Sequence, residues 1–143
     1  MQGSLGVGAD LNRWTPEDFA AAKRLIAKYK AVRATVQEGA LYRLLSPGAG
    51  SEYSATESVA RDGHEVAVFA FLHSSQQGQP YPRLYMRGLD PEVVYGLHVE
   101  EGTLADGTVQ RASGDYWMHH GVSVSLRGDY QAAFFTLERQ GAQ

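Results

Sequence analysis

Two adjacent histidines, His119 and His120, sit in the stretch GDYWMHHGVSV (Gly114–Val124), beside Tyr116, Trp117 and Met118. Imidazoles ligate metals and move protons near neutral pH, so chemistry is sought here first. Their spacing argues against a shared metal. Neighbouring residues point to opposite faces of a strand and lie about 100° apart on a helix, so neither geometry lets both rings grip one ion. No His-x-x-x-His pair stands nearby, and Asp115 is the nearest acid. The stretch reads as an aromatic plug whose imidazoles hydrogen-bond to backbone, with no metal.

Other chemistries fare no better. No Gly-x-Ser-x-Gly elbow is present, and the serines lack a matched histidine and acid. Gly6–Leu11 starts as Gly-x-Gly but has no third glycine and no βαβ unit after it, so no dinucleotide cofactor is expected. Arg127-Gly128-Asp129 is expected to be a hairpin turn. Tyr53, Tyr81, Tyr85, Trp117 and Tyr130 could form a sugar-stacking platform, although strand alternation makes packing the commoner fate of such residues. The acids are scattered, and no pair is placed for glycoside cleavage.

The elements that would position these residues are legible from composition and periodicity. The chain has 143 residues, 43% of them apolar, no cysteine and a net charge of −3. That suits one domain with an appended element and excludes disulfides and thiolate chemistry. Its 13 basic residues form no dense cluster, so a nucleic-acid surface is set aside. No apolar run approaches the roughly 20 residues of a membrane span, and no signal peptide is seen. A soluble, cytoplasmic protein is expected.

A helix is predicted after Thr15 as N-cap, with Pro16 first and Glu17 and Asp18 at its positive end. Its apolar stripe comprises Phe19, Ala22, Leu25, Ile26, Tyr29, Val32 and Val36. Gly39 ends it, by taking positive φ. From Leu41 onward short strands are predicted at Leu41–Leu45, Glu52–Ala60, Glu65–His73, Arg83–Leu89, Val93–Glu100, Val122–Leu126 and Tyr130–Arg139. A two-residue Asp62-Gly63 turn should join the second to the third, whose near-continuous apolarity suits burial on both faces. The fold class is mostly β: an antiparallel, Greek-key-like β-sandwich preceded by one long N-terminal α-helix. A helix followed by an all-β unit either folds back on the sandwich or ends a larger domain.

Several stretches, in order, resemble the C-terminal end of bacterial α-galactosidases of glycoside hydrolase family 36. They run from GSLGVGADLNRWTPEDF through LIAKYKAVRATVQEGALYRLLSP, DGHEVAVFAF and LYMRGLDPEVVYGL to SGDYWMHHGVSVSLRGDYQAAFFTLER. Tyr29-Lys30 with Arg33, Gly39 with Leu41–Leu44, and Arg87–Pro91 are the most specific pieces. The resemblance implies residues 1–39 as the remnant of a (β/α)8 barrel, with its last strand at Leu5–Leu11 and last helix at Pro16–Glu38, and 40–143 as the C-terminal antiparallel β-sandwich.

It also implies a retaining parent enzyme that releases α-galactose from melibiose- or raffinose-type sugars. In such enzymes two aspartates stand about 5 Å apart on earlier barrel strands. Neither role falls on this chain; Asp10, Asp18 and Asp115 do not match those motifs. Met1 falls where members carry an internal residue, which suggests a truncated product, a partial gene or an excised domain. Asp10 and Trp14, in the loop after the last strand, become candidates for the mouth of the parent's site.

The implied role is that of a scaffold, inactive alone, without cofactor or metal. Its partners would be the missing barrel and, in assembling members, another copy; neither nucleic acid nor membrane is expected. The alternatives are a free-standing carbohydrate-binding module, which buried Tyr85, Tyr95 and Trp117 would disfavour, and an interaction domain complementing a separately encoded barrel.

Overall fold

In the third strand apolar residues follow one another almost without interruption, and the computed structural model shows why. Strand β3 (Glu65–Leu72) is covered on both sides. Val66, Val68, Ala70 and Leu72 point into the main core, whereas Ala67 and Phe69 lie under a helix. The structure describes residues 4–48 and 51–141. Met1 and Gly3, which the resemblance touches, lie outside them, as do residues 142–143.

Strands β1 (Ala40–Leu45), β2 (Tyr53–Val59), β3, β5 (Val94–Glu101), β6 (Arg111–Ser113) and β8 (Gln131–Arg139) form one antiparallel sheet in the order β1-β2-β3-β8-β5-β6. Strand β4 (Arg83–Leu84) pairs with β7 (Val122–Ser123) in a second, smaller layer. A bridge between Leu104 and Val124 extends that layer. The two layers close over Leu84, Trp117, Val122 and Val124 on one side and Ala55, Val68, Leu97 and Phe135 on the other. The chain is therefore an antiparallel β-sandwich preceded by one long helix.

That helix, α1 (Pro16–Glu38), forms where its signals put it. Thr15 accepts from the Asp18 backbone and the Asp18 carboxylate accepts in return from Thr15, a complete capping box. Tyr29, Val32 and Val36 turn toward the large sheet, where Val32 and Val36 pack with Phe69 and Phe134. The two phenylalanines stack at 4.6 Å. Lys28 pairs with Glu101 at 2.9 Å, fixing the helix to the end of β5. Gly39 ends the helix, but for a different reason from the one expected. Its φ is −75°, so positive φ plays no part. A Cβ there would instead collide with the carbonyl oxygens of Thr35 and Val59, where the chain turns straight into β1.

Leu5–Leu11, which the resemblance implies as a barrel strand, could pair only with other barrel strands; here residues 4–10 pair with no other described segment, and a single 3-10 turn occupies Leu11–Arg13. Two other expectations are corrected. The β2–β3 connection is longer than two residues, since the Ala60 N–H donates to the Glu65 carbonyl and leaves 61–64 as the loop. Arg127-Gly128-Asp129 is not a hairpin turn but a crossover, carrying the chain from β7 in the small layer to β8 in the large one. Gly114–His119 is a short helix, α2, capped by Ser113 through the Tyr116 N–H at 3.2 Å.

Candidate functional site

Asp10 and Trp14 lie close in sequence but do different things. The Asp10 carboxylate accepts from the backbone and side chain of Asn12, both at 3.1 Å, and so caps the 3-10 turn. Trp14 leans edge-on against Phe19, with ring centroids 5.2 Å apart. With Val7, Leu11, Phe19, Ala22, Ile26 and Ala27 it lines an open apolar groove of about 540 Å³, flanked by Lys23 and Lys30. The apolar stripe of α1 thus divides. Its groove face, centred on Phe19, Ala22 and Ile26, lies roughly 80° around the axis from the sheet face, at about 100° per residue. Phe19 stays 49% exposed.

The remaining acids and histidines are dispersed. The Thr15 backbone N–H, then its hydroxyl, holds the Asp18 carboxyl below its ordinary value, so Asp18 is a cap. His119 sits one turn from Asp115, its Nδ1 3.0 Å from both the Asp115 carbonyl and carboxylate oxygens. The ring of His120 stacks on Tyr116 at 4.7 Å. Among the described residues no group of three or more His, Cys, Asp or Glu side chains could hold a metal ion. Nor is any helix there long and apolar enough to cross a membrane.

One acid escaped the sequence reading. Glu57 is fully buried on the inner face of β2, between Tyr42 of β1 and Val68 of β3 in register. Its Oε2 accepts from the Arg87 backbone at 2.7 Å; its Oε1 meets no partner among the described residues. Burial pushes its carboxyl up to about 8, against the opposing pull of the Arg87 N–H and the Arg87 charge. It faces no second carboxylate in register and anchors the turn after β4. Alternation could have flagged it, because Tyr53, Ala55, Glu57 and Val59 share one face.

The aromatic set also splits. Tyr53 and Trp117 are buried, and the Trp117 indole donates to the Ala112 carbonyl at 3.1 Å. Tyr81, Tyr85 and Tyr130 are exposed. Tyr95 is buried, so of the three residues whose burial would disfavour sugar binding only Tyr85 points to solvent.

This architecture, a helix-backed sandwich, has known counterparts. The pattern of the glycosyl hydrolase family 36 C-terminal domain matches residues 53–137. α-Galactosidase AgaA of Geobacillus stearothermophilus is 34% identical over 127 residues, 89% of this chain and 16% of AgaA. α-Galactosidase C of Emericella nidulans is 31% identical over 140 residues, 98% of this chain and 17% of that protein. The crystal structure of AgaB from Geobacillus stearothermophilus superposes with a TM-score of 0.77 at 30% identity, covering 92% of this chain and 17% of AgaB. The chain spans about a sixth of the length of these relatives. It belongs to glycosyl hydrolase family 36, and what it carries is the family's C-terminal domain.

Proposed function

We propose that the chain serves as the accessory domain of an α-galactosidase whose two catalytic aspartates lie in a barrel outside it, and that it hydrolyses nothing alone. One observation carries the reading: α1 has two apolar faces, and the sandwich fills only one. Leaving Phe19, Ile26 and the Trp14 groove in water forgoes burial worth roughly 1.5–3 kcal/mol per large side chain. A barrel wall laid against the groove would recover it, with α1 as the shared element between barrel and sandwich. Lys23 and Lys30 at the groove's edge can cover apolar surface with their stems while their ammonium groups reach water.

In that arrangement Trp14 belongs to the docking groove. Asp10, exposed at the start of the 3-10 turn, is the residue left for the rim of the parent's site. Asp10→Asn in a full-length enzyme keeps the Asn12 cap and removes the charge; unchanged turnover and substrate affinity would eliminate that role. Contacts with another copy are a further role for the sandwich. A cytoplasmic setting suits a chain with no cysteine to oxidise. The purified chain, assayed on p-nitrophenyl-α-galactoside, is expected to release nitrophenol no faster than buffer. Turnover lost on substituting one of its acids would overthrow the proposal.

A further inference from the structure

The outer face of the small layer carries a built surface that packing does not use. Along 81–87 exposure alternates: Tyr81, Arg83, Tyr85 and Arg87 face solvent while Leu84 and Met86 are buried. Strand β4 covers only Arg83–Leu84, and the four residues from Tyr81 to Tyr85 span at most about 13 Å at the roughly 3.3 Å rise of extended chain. Tyr85 is 51% exposed and Tyr81 42%. The Tyr85 ring lies over Gly121, its Cδ1 3.2 Å from where a Cβ would stand. Gly121 has φ +65°, and a side chain there would also strike the Leu84 carbonyl. The ring therefore rests on bare backbone.

The polar groups around it are fixed as well. Arg83 Nη1 donates to the His120 carbonyl at 2.8 Å, and Arg83 pairs with no carboxylate among the described residues. A guanidinium has five N–H donors, so most of this one points elsewhere. His120, exposed and stacked on Tyr116, borders the same patch. Ser123 opposes Arg83 in register. At the far end the Arg127 guanidinium lies 5.8 Å from the centre of the Tyr81 ring.

We infer that Tyr85, Arg83 and His120, with Tyr81 and Arg127 at the far end, form a non-catalytic binding platform for a galactose-containing oligosaccharide. The rigid tyrosine ring offers a stacking face, and the neighbouring guanidinium offers donors for ring hydroxyls. Galactose suits the pair. Its axial O4 leaves C3, C4 and C5 as an apolar patch on one side, and the hydroxyls at its edge accept from arginine. The spacing to Tyr81 lets non-adjacent sugars of one short chain be held together. The platform lies on the opposite side of the sandwich from α1, so a barrel seated on the groove leaves it open. The choice of galactose rests on the accessory-domain reading; the platform geometry does not.

The test is a stachyose titration of the 15N-labelled chain followed by amide shifts, with maltotetraose as the comparison sugar. Weak saturable binding is expected, with shifts confined to residues 81–87 and 119–123 and smaller for maltotetraose. Tyr85→Ala and Arg83→Ala should each weaken it about fivefold or more. Tyr130→Ala, at a ring more exposed than Tyr85 but placed against His73, should not. Shifts absent at the highest sugar concentration, shifts mapping to the α1 groove, or wild-type binding by folded Tyr85→Ala would overturn the inference. Sugar-independent dimerisation abolished by Tyr85→Ala would also overturn it, in favour of a protein interface. None of these results bears on nitrophenyl-galactoside hydrolysis, so the two proposals fail separately.

Discussion

Glu57 shows what a single side chain imposes on the domain. Held in the core with one oxygen bonded to the Arg87 N–H and the other without a partner, it keeps its proton more tightly folded than unfolded. From its ordinary 4.5 to about 8 the folded chain holds a proton that the unfolded chain has lost. Stability therefore falls as pH rises through that window, by on the order of 3–5 kcal/mol from this group, and its contribution is level outside it. Glu57→Gln keeps an acceptor for Arg87 and has nothing to titrate. Urea unfolding at pH 5 and pH 8 should give a clearly smaller difference for the variant than for the native chain. Equal differences would show that Glu57 is ionised in the fold. Alternation in YSATESV sets Glu57 on the apolar face with Tyr53, Ala55 and Val59. An acid in a strand is nonetheless read as solvent-facing by default, because carboxylates are almost never fully buried without a partner.

At the level of elements, whatever depends on local signals was readable and whatever depends on distant pairing was not. The cap, start and end of α1 follow from Thr15, Pro16, Asp18 and Gly39, because a helix satisfies its own backbone. The stripe on α1 was readable too, but its division into two faces was not, since the partner surfaces are set by the fold. The β4–β7 pairing joins segments almost forty residues apart, and no turn signal announces it. α2 escaped notice because six residues carry little periodicity and the stretch opens on glycine. Its purpose is clear from packing: it delivers Trp117 into the core and leaves His119 and His120 outside. Trp117→Ala should destabilise the domain by about 3–5 kcal/mol, from the cavity and the orphaned Ala112 carbonyl. His119→Ala should stay within about 0.5 kcal/mol. Thermal unfolding of the two variants checks this; a large loss from the histidine would give it a structural weight that the geometry does not.

Across the whole molecule the sandwich has two outward surfaces of different character. The groove beside α1 is apolar and flanked by lysines; the face beyond the small layer is aromatic and arginine-rich. The proposed seat of a barrel wall on α1 would account for the first. The docking claim is tested most directly in a chimera in which residues 4–141 replace the matching C-terminal sixth of AgaA. The measurement is the half-life of p-nitrophenyl-α-galactoside hydrolysis at elevated temperature, with and without Ile26→Asp. A carboxylate in the groove should shorten that half-life severalfold while leaving the free chain's own unfolding temperature nearly unchanged. An equal half-life for the two chimeras would contradict the account, because the groove would then bear on nothing the enzyme needs.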